Sequence, residues 1–180
     1  MPLPLVPFGT MSKAIAESIA AARSMLEAKS DAGPSSDRPA TAVIEDGLRS
    51  RVEGGDGWVV GTDMPAAVGG SASAPSPAWL LRAAWASCAA TAIAMRAAEL
   101  GISLTSLEVS AESETDMRGL LAAGDGVRPG PQTLRMRVVI AADGADEKEL
   151  RELVEWADVH SPVCDALTRA VPAELDVVIG

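Results

Sequence analysis

Between Ala78 and Met95 the chain carries one charged residue, Arg82, in a run dominated by alanine with leucine, tryptophan and isoleucine. Ser76 is a good helix N-cap, Pro77 suits the first helical position, and Gly101 is a stop signal, so the spacing predicts one helix from Pro77 to about Leu100. A helix this long and this poor in charge belongs either in lipid or inside protein. Alanine is a weak hydrophobe, the flanks carry no basic anchors, and amphipathic segments follow. The expectation is therefore a central helix buried on all sides by protein, with no membrane as partner.

The apolar residues make up 48% of the sequence but are small in kind, with one Phe, four Trp and no Tyr. Small side chains bury little area each, so a homodimer interface is expected to supply the missing burial. The formal charge of −10, with no basic stripe, disfavours nucleic acid as a partner. Met1–Thr10 is Pro-rich and apolar but lacks a positive segment and a cleavage site, so it is not read as a signal peptide. A cytoplasmic protein is expected. Two cysteines do not make a disulfide scaffold, and with a single histidine they do not make a zinc site.

Around the central helix the pattern alternates between two periods. Ser12–Lys29 reads as an amphipathic helix, and residues 30–39 as a linker. Ala40–Asp46, Leu48–Glu53 and Trp58–Asp63 read as a three-stranded meander with turns at Gly47 and at 54–57. Ile102–Glu114 and Thr133–Ala142 alternate as strands, separated by a long loop rich in glycine and proline. A helix to about Asp158 follows, then Ser161-Pro162 starts a shorter one to Ala170, and Glu174–Ile179 reads as a closing strand. The fold class is α+β, divided into an N-terminal helix and linker (1–39) and one main domain (40–180).

Two cysteines are the candidates for chemistry. Cys88 sits midway along the central helix among Leu81, Ala84, Trp85, Thr91, Ala92 and Met95. Such a residue is either a small core side chain or a reactive thiol, and desolvation demands a cation from elsewhere before it ionises. Cys164 is the third residue of the helix capped by Ser161, where outward N–H groups and the helix dipole favour a thiolate. The alternative is a half-buried cysteine facing the sheet. His160 precedes the cap and is either a base for Cys164 or an exposed ring.

Two segments together resemble the OsmC/Ohr family. The first runs from Gly69-Gly70 through Pro75-Ser76-Pro77-Ala78-Trp79 to Ser87-Cys88-Ala89 and Leu100-Gly101. It is similar to the family's central helix, which opens on a small-residue–Pro pair and carries the peroxidatic cysteine. The second, His160-Ser161-Pro162-Val163-Cys164 with Val171-Pro172 beyond it, is similar to the family's Cys-Pro-Val-Ser segment. The resemblance covers about residues 40–180. It implies an OsmC-like fold: an antiparallel or mixed sheet, a long buried central helix, and an intertwined homodimer with active sites at the interface.

The resemblance also implies a thiol-dependent peroxidase that reduces organic hydroperoxides or hydrogen peroxide, with no cofactor and no metal. Cys88 becomes a sulfenic acid, Cys164 is the candidate resolving thiol, and a dithiol returns the electrons. The substrate expected is a small hydrophobic peroxide held in an apolar pocket. An arginine stabilises the thiolate in the family, and Arg49 or Arg51, on one face of the second strand, are the candidates. This chain departs from the pattern twice. Ala78 stands where the organic-hydroperoxide branch has a glutamate that orients the arginine. The family's second cysteine aligns with Ser161, and Cys164 falls one turn later, where the family has serine. The alternative reading is a non-catalytic OsmC-like dimer that binds a small hydrophobic ligand or senses oxidants.

Overall fold

Alternating side chains and left-handed glycines build the first sheet. The computed structural model describes residues 8–180, and in it β1 (Ala40–Asp46), β2 (Arg49–Gly54) and β3 (Val59–Thr62) form an antiparallel meander in that order. Gly47 (φ 54°) and Gly57 (φ 80°) take the turn positions, where a side chain would be strained. On the inner face of β2, Ser50 pairs with Thr62, and their hydroxyls meet at 2.7 Å while buried. On the outer face, Arg51 bonds Glu45 (3.1 Å) and Glu53, and Arg49 bonds Glu45 (3.5 Å).

The loop leaving β3 is organised by one carboxylate. Asp63 is 2% exposed and accepts from the backbone N–H groups of Met64 (2.7 Å), Ser71 (3.2 Å) and Ser73 (2.9 Å). The hydroxyls of Ser71 (2.6 Å) and Ser73 (2.9 Å) donate to it as well. The Ser71 hydroxyl, then the Ser73 backbone, hold this carboxyl well below the usual carboxylate range, against the cost of burial. Gly70 has no room for a side chain, since a Cβ there would run into the Met64 backbone.

The chain divides into two compact units that interleave along the sequence. One comprises Ser18–Ala84 and Glu112–Leu134; the other comprises the chain up to Glu17, Trp85–Ala111 and Arg135–Gly180. The meander and the Asp63 loop belong to the first. The second holds the core, in which Ile93, Ala97, Leu104, Leu153 and Ala157 pack together with Val138, Ile140 and Trp156 around them.

That core brings together one face each of four elements: α2 (Pro77–Leu100), β4 (Ser103–Glu114) with its partner β5 (Thr133–Asp143), and α4 (Glu147–His160). Helix α2 ends as its sequence demands: Gly101 adopts φ 70°, Ile102 N–H bonds the Ala97 carbonyl at 2.9 Å, and Gly101 N–H bonds Ala98 at 3.2 Å. Helix α4 opens with a capping box in which Asp146 and Glu149 satisfy each other's backbone N–H groups.

Several expectations need correction. Helix α1 spans Phe8–Ala28, beginning before Ser12; Ile15 and Ile19 are half-buried, whereas Met25 and Leu26 are exposed. The reading of Met1–Thr10 falls largely outside the described residues. The long loop after β4 contains a short helix, α3 (Met117–Leu120), because Asp116 caps it and binds the Arg118 side chain. The last helix, α5 (Pro162–Thr168), stops before Ala170.

Glu174–Ile179 forms no strand. Its alternation is real, but no sheet edge among the described residues pairs with it, and Leu175 (89%), Val178 (87%) and Ile179 (87%) stand exposed. Helix α2 is not buried on all sides by a single chain. Its buried residues are Ala89, Ile93, Ala97 and Ala98, while Trp79 and Met95 are exposed. By length and composition alone, it is a helix able to cross a membrane.

Candidate active site

Both cysteines lie in the unit that holds the core, and both are free. Cys88 is half-buried on α2, one position before the buried Ala89. The corner between α4 and α5 comes up against it through Ser161, which is 0% exposed and whose hydroxyl donates to the Cys88 sulfur at 3.2 Å.

Cys164 occupies the expected position in α5, with its N–H donating to the Ser161 hydroxyl at 3.4 Å. Its sulfur is occupied on two sides. Trp85 Nε1, three residues before Cys88 on α2, donates to it at 2.9 Å, and it donates to Asp158 Oδ1 at 3.1 Å. The expected thiolate is not favoured here. Burial pushes the Cys164 thiol up, the hydrogen bond to Asp158 pushes it further, and the donors Ser161 and Trp85 only partly oppose them. The first turn of a helix does not outweigh desolvation beside a carboxylate.

The structure thus brings Cys88, Ser161, Cys164, Trp85 and Asp158 together. Arg49 and Arg51 lie in the other unit, on β2, where both bond carboxylates and Arg49 also donates to the Ser73 hydroxyl at 2.7 Å. His160 is exposed and turned onto Trp156, with ring centroids 3.9 Å apart and Nδ1 2.7 Å from the Trp156 carbonyl. Trp156 also carries the Arg96 guanidinium 4.5 Å above its ring centre. An open groove of about 540 Å³ between β5 and α4, lined by Val138, Ile140, Leu150 and Val154, includes neither cysteine.

Sequence reasoning did not assign a role to Ser161 beyond its cap. The signal was present in two forms, the Ser-Pro cap and the alignment of this position with a family cysteine. Neither reveals that the hydroxyl has a proton to spare for another element.

Residues 70–176 match the model of the family described as OsmC-like protein, a span that includes both cysteines and Ser161. The chain belongs to that family. Solved structures of similar fold include an OsmC-like protein from Mycoplasma pneumoniae. It is 15% identical, with a TM-score of 0.64 over 75% of this chain and 89% of that one. A protein from Legionella pneumophila, described as an organic hydroperoxide resistance protein OsmC and predicted redox protein, is 25% identical. Its TM-score is 0.54 over 74% of this chain and 91% of that one. A Psychrobacter arcticus protein, described as a putative osmotic stress induced and detoxification response protein, is 18% identical, with a TM-score of 0.58 over 74% and 90%. Among curated proteins no sequence matches. The OsmC-like fold expected from the two motifs is the fold observed, and the family is one associated with organic hydroperoxide resistance.

Proposed function

We propose that this OsmC-like protein is a thiol-dependent peroxidase that reduces organic hydroperoxides or hydrogen peroxide through Cys88. The observation that carries the reading is the state of that sulfur. It is free, half-buried and not sealed, and it receives a hydrogen bond from a fully buried hydroxyl. A donor aimed at the sulfur is placed to hydrogen-bond the thiolate that attacks peroxide. The thiolate takes the terminal oxygen of the peroxide; the O–O bond breaks, an S–O bond forms, and the alkoxide leaves as the alcohol after protonation. A dithiol then restores the thiol. Because this cycle needs thiols kept reduced, the cytoplasm is the proposed location.

A homodimer is part of the proposal. Its support is the apolar surface that one chain leaves uncovered on α2, on the meander (Val43, Ile44, Val59, Val60) and on the tail (Leu175, Val177, Val178, Ile179). One observation favours the non-catalytic reading: Ala78, at the start of α2, supplies no carboxylate where the organic-hydroperoxide branch has one.

Mixing the reduced protein with cumene hydroperoxide and counting free thiols within seconds separates the two. Rapid thiol loss that Cys88→Ser abolishes is the expected result. No loss over minutes would favour the ligand-binding or sensing protein.

A further inference from the structure

The Ser161 hydroxyl has one proton and two lone pairs to distribute. Cys164 N–H, which is only a donor, consumes an acceptor site at 3.4 Å in capping α5. The proton is left free for a second partner, and the group in reach is the Cys88 sulfur at 3.2 Å. With 0% exposure, Ser161 cannot turn that proton towards water instead. A thiolate at Cys88 accepts but does not donate, so ionisation strengthens this bond and settles its direction.

The same corner decides what happens after oxidation. A resolving thiol from α5 would have to approach the Cys88 sulfur through the α4–α5 corner, and the atom already there is the Ser161 oxygen. Cys164 is buried (4% exposed), and its sulfur is committed to Trp85 Nε1 at 2.9 Å and Asp158 Oδ1 at 3.1 Å. Bringing it to Cys88 would break both contacts and displace the cap.

We propose that Ser161 is a further catalytic residue: its hydroxyl donates to the Cys88 thiolate and fills the place of a resolving thiol, so an external dithiol, not Cys164, releases oxidised Cys88. The second half rests on the peroxidase reading; the first does not. In the balanced cycle, the sulfenic acid condenses with one thiol of the external dithiol to give a mixed disulfide and water. The second thiol of that reductant then displaces Cys88 as its thiolate and closes its own disulfide.

The test uses the full chain and no peroxide, so its failure is distinct from failure of the peroxidase reading. Iodoacetamide alkylation of Cys88, followed by peptide mass spectrometry across pH, reads the ionisation midpoint. Ser161→Ala should slow the reaction at pH 7 about tenfold and move its pH profile upward, and Ser161→Thr should restore both. A merely structural hydroxyl would leave the midpoint unmoved, and an unmoved midpoint in folded Ser161→Ala overturns the proposal.

Oxidised glutathione supplies the second measurement, and Ser161→Cys keeps the idea open to refutation where the alanine variant fails to fold. In the wild type, the Cys88 thiolate should form a mixed disulfide with glutathione and stop there. In Ser161→Cys, the introduced thiol should displace glutathione and form an internal disulfide with Cys88. The sulfur at that position needs to close only about 1 Å from the present 3.2 Å separation to reach bonding distance. An internal Cys88–Cys164 disulfide in the wild type overturns the proposal.

Discussion

Trp85 Nε1 lies 2.9 Å from the Cys164 sulfur, so the one indole on the Cys88 turn of α2 is spent on the other cysteine. Together with Asp158 it makes Cys164 a held, protonated thiol: burial first, then Asp158, raise it above its ordinary value of 9.0. In a Cys88→Ser background, Asp158→Asn should therefore speed alkylation of Cys164 at pH 8 several-fold, and Trp85→Phe should slow it. Since the folded state prefers the neutral thiol, its contribution to stability is complete below the unfolded value. It disappears as pH climbs through the raised folded value. Chemical denaturation at pH 8 and above, compared between wild type and Cys164→Ser, measures this.

Asp63 predicts the opposite pH behaviour. Its folded value lies well below that of an ordinary aspartate, so it stabilises the fold above about pH 4. That contribution is lost as pH falls through the folded value. Asp63→Asn should melt at a lower temperature than the wild type at pH 7, because an amide nitrogen would then face the donors of Ser71 and Ser73. The gap should shrink on acidification below pH 4. A gap constant from pH 7 to pH 2 would show that the carboxylate's charge is not what organises the loop.

Ile93 is 1% exposed at the centre of the core shared by α2, β4 and α4. Truncation to alanine should cost about 2–5 kcal/mol, because the surrounding helices close a cavity only partly. Urea titration of Ile93→Ala, with an unchanged slope, is the measurement.

Gly101 isolates a backbone effect from packing. Nothing lies within 4 Å of a Cβ built there, yet φ is +70°, so Gly101→Ala meets no neighbour and still has to adopt a left-handed conformation. A loss of about 1–2 kcal/mol is expected from that alone. Gly101→Asn should recover part of it, since asparagine tolerates this region better.

The features written locally in the sequence were readable there. Ser76 and Ser161 announce their helices by capping residues three positions on, with Trp79 N–H 3.3 Å from the Ser76 hydroxyl. Gly47, Gly57 and Gly101 mark turns and an end because only glycine is comfortable at their φ values. What was not readable depends on approaches between distant segments. The charge state of Cys164 follows from Asp158 and burial, which its place in α5 does not reveal. The contact of Ser161 with Cys88 spans 73 positions in the sequence. The tail at 174–179 carries a strand's alternation without a strand, because pattern records which face is apolar and not which edge will receive it.

One hydroxyl tethers the start of α5 and touches the sulfur that is to be oxidised. Seven residues make a helix too short to persist without its anchors, so α5 borrows its order from Ser161 and from the buried Cys164. An oxygen added to Cys88 changes the acceptor that this hydroxyl faces. Amide protons of 163–168 should then exchange with solvent faster in the sulfenic form, turning the final helix into a gauge of the redox state one element away.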